Sequence, residues 1–380
     1  MTRRRRDEEW MRRALALAEK GRPLTSPNPM VGACLVKKNR LLSEGFHSFF
    51  GGPHAEVETI RKAGRKASGA TLYVTLEPCS TYGKTPPCIG VVKAAGISRV
   101  VIGAIDPNPK HNGLGITLLR KAGIRVETGF LKNECQLQNE AFFKWIRTGI
   151  PFVTLKMAQS LDGKIASRTG NSRWISGPVA RNWVHSLRAS VDAILVGKNT
   201  VLRDNPRLTV SSRLYEPKGS ERNGKAPWRI VLDEKGALPM KARMFKSKGP
   251  ILLVCSEKFF KRVTQKFKHT QITILPLKSD SGKLNLAQLL KRLGKLGIAS
   301  LLVEGGGEVA WSFLEKGFVD KIEWIIAPKI IGGRDAKTSV EGLGIASLSQ
   351  TPSIQWTKTM RLGTDILIEG YVNSYVRRNR

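Results

Sequence analysis

From residue 30 to residue 129 the chain keeps changing its hydrophobic period. Short apolar runs, "MVGACLVKK", "ATLYVTLEP", "SRVVIGAI" and "IRVETG", read as strands. Between them lie segments with apolar residues at helical spacing: "HAEVETIRKAG", closed by Gly64, then "PPCIGVVKAAG" and "GLGITLLRKAG". A helix, "EEWMRRALALAEK", precedes them. Strands that alternate with helices of this length have few ways to bury both. The pattern predicts an α/β layer fold.

The character changes at "FFKWIRTGIPFVTLKMAQS". Thr148-Gly149-Ile150-Pro151 punctuates the chain, and the expected domains are 1–148 and 149–380. A second α/β pattern follows. Strands are predicted at "FVTLKMA", "DAILVG", "WRIVLD", "ILLVCS", "QITILPL", "SLLVEGG", "KIEWIIAPKII" and "DILIEGYV". Helices are predicted at "GPVARNWVHSLRA", "NLAQLLKRLGKLG" and "EVAWSFLEKG", and a polar loop at 211–226.

No apolar run approaches the ~20 residues needed to cross a bilayer. The basic start lacks the apolar stretch of a signal peptide. Five cysteines without a regular framework suit a reducing compartment. These features together predict a cytoplasmic protein. The net charge of +34 raises nucleic acid as a partner. That charge is spread, +13 over residues 1–148 and +21 over the rest, and clusters only at Arg3 to Arg6 and at Arg377, Arg378 and Arg380. A solvated basic surface explains it more simply, and the same field favours anionic small substrates.

One set of residues points to chemistry. "GGPHAEV" offers His54 and Glu56; "TLEPCSTYGKTPPC" offers Cys79 and Cys88. A catalytic zinc takes three protein ligands and leaves a position for water. His54, Cys79 and Cys88 would be the three. Cys88 begins a predicted helix after Pro86-Pro87, where a thiolate is favoured. Glu56 would be free to move protons. H-x-E followed by P-C and a second cysteine is the zinc deaminase pattern, although here eight residues separate the cysteines rather than two. Cys34, Cys135 and Cys255 have no ligand partner at such spacing and read as core.

The longer spacing, with "SPNPMVGACLV", "EGFH", "GGPHAEV", "VTLEPCSTYGKTPPC" and "AIDPNP", resembles the bifunctional deaminase/reductase of riboflavin biosynthesis, and the likeness runs from about Trp10 to Tyr371. It implies a cytidine-deaminase-like three-layer zinc domain. This domain would deaminate a diaminopyrimidinone carrying a ribosylamino 5-phosphate, with one Zn2+ on His54, Cys79 and Cys88 and Glu56 as acid/base. Asn28, His47, Lys84, Asp106 and Asn108 are candidate substrate contacts, though Asn and Asp beside Pro also make plain turns. Many family members are His-rich where this chain has Thr81 and Tyr82.

In the second half, "LLVEGGGEVAWSFL" is a strand, a glycine turn and a helix, a phosphate-binding arrangement. It lies late in its domain, whereas the dinucleotide fingerprint of the doubly wound fold lies in the first strand–helix turn. The resemblance implies a dihydrofolate-reductase-like α/β domain that uses NADPH to reduce a ribosyl group to ribityl. It carries cofactor contacts onto Ala158, Trp174, Thr200, Asp204 and the turn Gly306, Gly307, Glu308, Val309, Ala310, Trp311 and Ser312. Substrate contacts fall on Lys156, Ser172, Arg188, Leu208 and Glu304. Arg188 could fork onto a phosphate. Ser211 stands where the family usually has an arginine, with Arg213 two residues later. A homo-oligomer without membrane or nucleic-acid partners is expected. The competing readings are a deaminase acting on nucleic-acid bases and a nucleic-acid-binding protein on a degenerate enzyme fold.

Overall fold

The computed structural model describes residues 2–83, 85–210, 226–280 and 282–373. Lys84, Ser211, Arg213 and all but the last residue of the expected 211–226 loop lie outside them. The chain folds into two compact units, Met1–Ile150 and Pro151–Arg380.

In the first unit the elements run α1 (Arg3–Glu19), β1 (Gly32–Lys37), β2 (Arg40–Phe46), α2 (Ala55–Ala63), β3 (Thr71–Leu76), α3 (Cys88–Ala94), β4 (Arg99–Ala104), α4 (Leu114–Lys121), β5 (Arg125–Thr128), α5 (Lys132–Gln138) and α6 (Glu140–Thr148). The sheet order is β2-β1-β3-β4-β5. β1 pairs antiparallel with β2 and β3; β3, β4 and β5 are parallel. The two-residue period of the strands explains the layers. Leu35, Leu72, Val74, Val100 and Ile102 pack with α2, α3 and α4 through Ile60, Ile89, Val92, Ile116 and Leu119. Their neighbours Cys34, Val36, Tyr73 and Val101 face the other way, against Met11, Ala14 and Leu17 of α1, Cys135 of α5 and Phe143 of α6. Cys34 and Cys135 are therefore core residues. Beside this second layer Asp7 is buried and takes both arms of Arg99, at 2.9 and 2.7 Å, and the Tyr73 hydroxyl at 2.6 Å.

The second unit runs β6 (Phe152–Ser160), α7 (Pro178–Ala189), β7 (Ala193–Gly197), α8 (Lys198–Asp204), β8 (Trp228–Leu232), β9 (Ile251–Ser256), α9 (Phe260–Phe267), β10 (Ile272–Leu277), β11 (Ser279–Asp280), β12 (Lys283–Leu284), α10 (Leu286–Lys295), β13 (Ser300–Glu304), α11 (Gly307–Glu315), β14 (Lys321–Ala327), β15 (Ile354–Leu362) and β16 (Asp365–Val372). Nine strands form one sheet, β10-β9-β8-β7-β13-β6-β14-β16-β15. All neighbours are parallel except β14–β16 and β16–β15. The interior strands β7 and β9 are buried throughout, as strands covered on both faces must be. Cys255 sits in β9 in the core.

The sequence reading passed over β2, β15, α5, α6, α8 and α9. β2 and β15 are edge strands, and β15 is exposed along most of its length. Such strands carry no continuous apolar run to betray them. α9 buries only Val263 and Phe267, a stripe too thin to read as a helix.

Candidate functional site

In the first unit, two chain turns bring the chemistry together. His54 is the N-cap of α2, and Glu56 lies in that helix's first turn. Cys79 follows β3, and Cys88 opens α3 after Pro87. His54 Nδ1 lies 3.2 Å from Cys88 Sγ and 3.5 Å from Cys79 Sγ. The ligand atoms of all three residues fall within 4.8 Å of one another. One imidazole nitrogen and two sulfurs at that spacing match a zinc donor set of the open, catalytic kind. The Cys88 backbone N–H donates to Cys79 Sγ at 3.2 Å. Cys79 is pushed down to about 4, chiefly because it accepts a hydrogen bond from the Cys88 thiol. Cys88 is raised by that same interaction. Glu56 is 3% exposed, and burial pushes its carboxyl up to about 7. An acid so poised can both take and give a proton near neutrality.

These groups line a cavity of about 290 Å³. Its wall includes Asn28, His47, Thr81, Asp106, Asn108 and His111, with Phe142, Trp145 and Ile146 of α6. His47 is buried, and burial pushes its pKa down. Its Nδ1 lies 3.0 Å from the Pro53 carbonyl and its Nε2 3.2 Å from the Asn28 amide nitrogen. Nδ1 therefore carries the proton and donates, while Nε2 accepts. Asp106 accepts the Asn108 N–H at 2.8 Å, and Asn108 accepts that of Lys110 at 3.1 Å. Both residues make the turns expected of them and still face the cavity. Tyr82 is 82% exposed and points away. The sequence reading missed His111, Glu77 and the α6 residues. Glu77, 4% exposed, accepts backbone N–H groups from Asp106, Gly113, Gly115 and Ile116 at 2.8–3.3 Å. It ties the 106–116 segment to the strand end that carries Cys79.

In the second unit a larger groove, about 1240 Å³, is lined by Thr200, Asp204, Gly306, Gly307, Glu308, Val309 and Ser312. Gly305 and Gly306 lie between β13 and α11 at φ of 72° and 76°. That left-handed conformation suits glycine and turns the helix N-terminus toward the groove. The side chains of Ala310 and Trp311 lie on the core side of α11, 0% and 8% exposed, so only their backbones could meet a cofactor. Glu234 after β8 and Lys278 and Lys283 around the β11–β12 hairpin also line the groove. The two lysines carry no signal in the sequence, because a hairpin with two-residue arms has no period to detect.

A polar cluster lies where the end of β13 meets the middle of β6, with Glu304 paired to Lys156. Glu304 takes both arms of Arg188 at 2.7 and 2.6 Å. The fork expected to face a phosphate therefore already grips a carboxylate. Burial would raise Glu304, but the Arg188 charge and hydrogen bonds, with Lys156 nearby, hold it down at about 2. Burial pushes Lys156 down. Ser172 Oγ donates to Asp204 at 2.6 Å. Leu208 is buried with φ of 54°, a strained conformation for a branched residue. Trp174 is 62% exposed, with the Arg181 guanidinium 4.5 Å from its ring centre. Ala158 lies in β6, paired with Ile325 of β14.

The chain matches two known domain families. Residues 4–104 match the cytidine and deoxycytidylate deaminase zinc-binding region, and residues 151–368 match the RibD C-terminal domain. The riboflavin biosynthesis protein RibD of Aquifex aeolicus is 42% identical over 362 residues, covering 95% of this chain and 97% of that one. The chain belongs to the RibD family. The solved RibD of Acinetobacter baumannii superposes with a TM-score of 0.87 at 33% identity, covering 98% of this chain and 100% of that one. A Thermotoga maritima structure, described as a diaminohydroxyphosphoribosylaminopyrimidine deaminase and 5-amino-6-(5-phosphoribosylamino)uracil reductase, superposes at 0.84 with 36% identity, over 98% and 100% of the two chains. As a RibD family member the chain is a bifunctional deaminase and reductase of riboflavin biosynthesis, and its fold is the expected pair of α/β domains.

Proposed function

We propose that the first unit hydrolytically deaminates 2,5-diamino-6-(5-phosphoribosylamino)pyrimidin-4(3H)-one, and that the second reduces the ribosyl arm of its product to ribityl with NADPH. The observation that carries the first half is the convergence of His54, Cys79 and Cys88 beside the buried Glu56. One zinc per chain, held by those three residues, would supply a water acidified to near neutrality. Glu56 Oε would take a proton from the attacking water and deliver one to the departing amine, so the carboxyl ends as it began. Asn28, held by the neutral His47, offers an amide to the ring edge. Asp106 and Asn108 approach from the opposite loop.

In the second unit NADPH would supply a hydride. The chain's part is to hold cofactor and substrate in contact. The glycine turn with Ser312 and Thr200 cradles phosphates, and Asp204, fixed by Ser172, faces the ribose side. Arg188 and Glu304 neutralise each other and suit the hydroxyls of the ribosyl arm, leaving Lys156 as the cation of that cluster. Ala158, Trp174 and Leu208 contribute wall and backbone. The parallel strands and the comparisons support this division of labour. We further infer a cytoplasmic homo-oligomer; among the described residues no helix is long and apolar enough to cross a membrane.

The test is Glu56→Gln in the full chain. Deamination should fall by about a hundredfold or more, while reduction of the supplied deaminated intermediate continues at the wild-type rate. Full deamination by the variant would refute the role given to Glu56.

A further inference from the structure

The substrate proposed for the first unit carries a phosphate, and its cavity must meet that charge. Among the described residues lining the cavity there is no lysine or arginine. The basic side chains among its described lining residues are three imidazoles. His54 faces the two sulfurs, and His47 uses both ring nitrogens on Pro53 and Asn28. His111 is engaged by neither task.

His111 sits on the segment between β4 and α4, half-buried, across from the loop that carries Cys79. Its Nδ1 lies 3.4 Å from the Ser80 backbone nitrogen and 3.0 Å from Ser80 Oγ. A backbone N–H can only donate, so Nδ1 is the acceptor and Nε2 carries the proton. That Nε2–H stands 3.5 Å from Thr81 Oγ1, too far for a strong bond. It is a donor in search of a better acceptor, beside a hydroxyl that can donate too. The segment is also held in advance. Glu77 binds the N–H of Asp106 on one side of His111 and those of Gly113, Gly115 and Ile116 on the other. His111 itself donates its N–H to the Asn108 carbonyl at 2.8 Å. Four donors on Glu77 satisfy its carboxylate oxygens and fix the segment in place.

The geometry points to His111, with the Thr81 hydroxyl, as the residue that grips the phosphate of the deaminase substrate and so selects the phosphorylated form. This rests on the substrate assignment above. It also gives Thr81 a task in the stretch where many family members are His-rich.

The experiment compares wild type and His111→Ala, as full chains, on the phosphorylated diaminopyrimidinone and on its dephosphorylated counterpart. Bound zinc and reductase turnover are measured on the same preparations. We expect KM for the phosphorylated substrate to rise by about tenfold or more with little change in kcat, and wild type and variant to converge on the dephosphorylated one. Zinc content and reduction should match wild type. Equal losses on both substrates, an unchanged KM or a loss of zinc would each overturn the inference. Failure of the wild-type chain on both substrates would instead bring down the substrate assignment, and this inference with it.

Discussion

The two units build their sites from different materials. In the first, the chemistry belongs to side chains at fixed offsets from helix starts and one strand end: His54, Glu56, Cys79 and Cys88. In the second, the groove proposed for the cofactor includes the backbone of the glycine turn, and the cluster proposed for the substrate pairs its charges internally through Arg188 and Glu304. A site made of side chains should fail one residue at a time and leave its fold standing. A site made of backbone and paired charges should fail together with local stability.

The sharpest break is Cys88→Ala. It removes one of three ligand atoms, so bound zinc and deamination should both disappear, while reduction is untouched. Metal analysis with separate assays of the two steps would check it; loss of both activities would dissolve the contrast. Next is Glu304→Gln, which leaves Arg188 facing Lys156 without its counter-charge. Breaking a buried pair costs roughly 3–5 kcal/mol. Calorimetry should show the unfolding of the second unit moved to lower temperature and that of the first unmoved. Smaller again is Gly306→Ala. Its φ of 76° costs a side-chain-bearing residue about 1–2 kcal/mol. KM for NADPH should rise and deamination stay as it was.

The smallest effect at working pH concerns acid. Glu304 is held at about 2, below its ordinary 4.5. Asp7 is also lowered: burial opposes it, but hydrogen bonds from Arg99 and Tyr73 prevail. A lowered carboxylate stabilises the fold fully above its unfolded pKa and loses that contribution as pH falls toward the folded value. The contribution of these two carboxylates should thus be flat from neutrality to about pH 5 and be lost between about 4.5 and 2 in both units. Here the two units behave alike, because ion-paired burial is common to both. Denaturant titrations across that range would reveal a difference if one exists.

The same contrast governs what the sequence revealed. The side-chain site was readable because zinc chemistry demands His and Cys beside a free Glu, and those letters are rare enough to stand out. The layered folds were readable from the change of period. Edge strands β2 and β15 were not, since polar residues such as Arg40, Ser43 and Glu44 in β2 and Gln355, Lys358 and Arg361 in β15 break the apolar run. His111 was passed over three residues beyond Asn108, because only folding brings it against Ser80 and Thr81. Arg188 was read as free for a phosphate; its bond to Glu304 spans 116 residues of sequence and has no local signal.

One measurement addresses the central claim directly: the purified wild-type chain, its zinc determined, given the phosphorylated diaminopyrimidinone with and without NADPH, its products separated by mass. The account requires zinc near one per chain, the deaminated product alone without NADPH, and the deaminated and reduced product with it. Bound zinc with neither product would contradict it, and so would reduction that proceeds while Glu56, His54, Cys79 and Cys88 leave the amine in place.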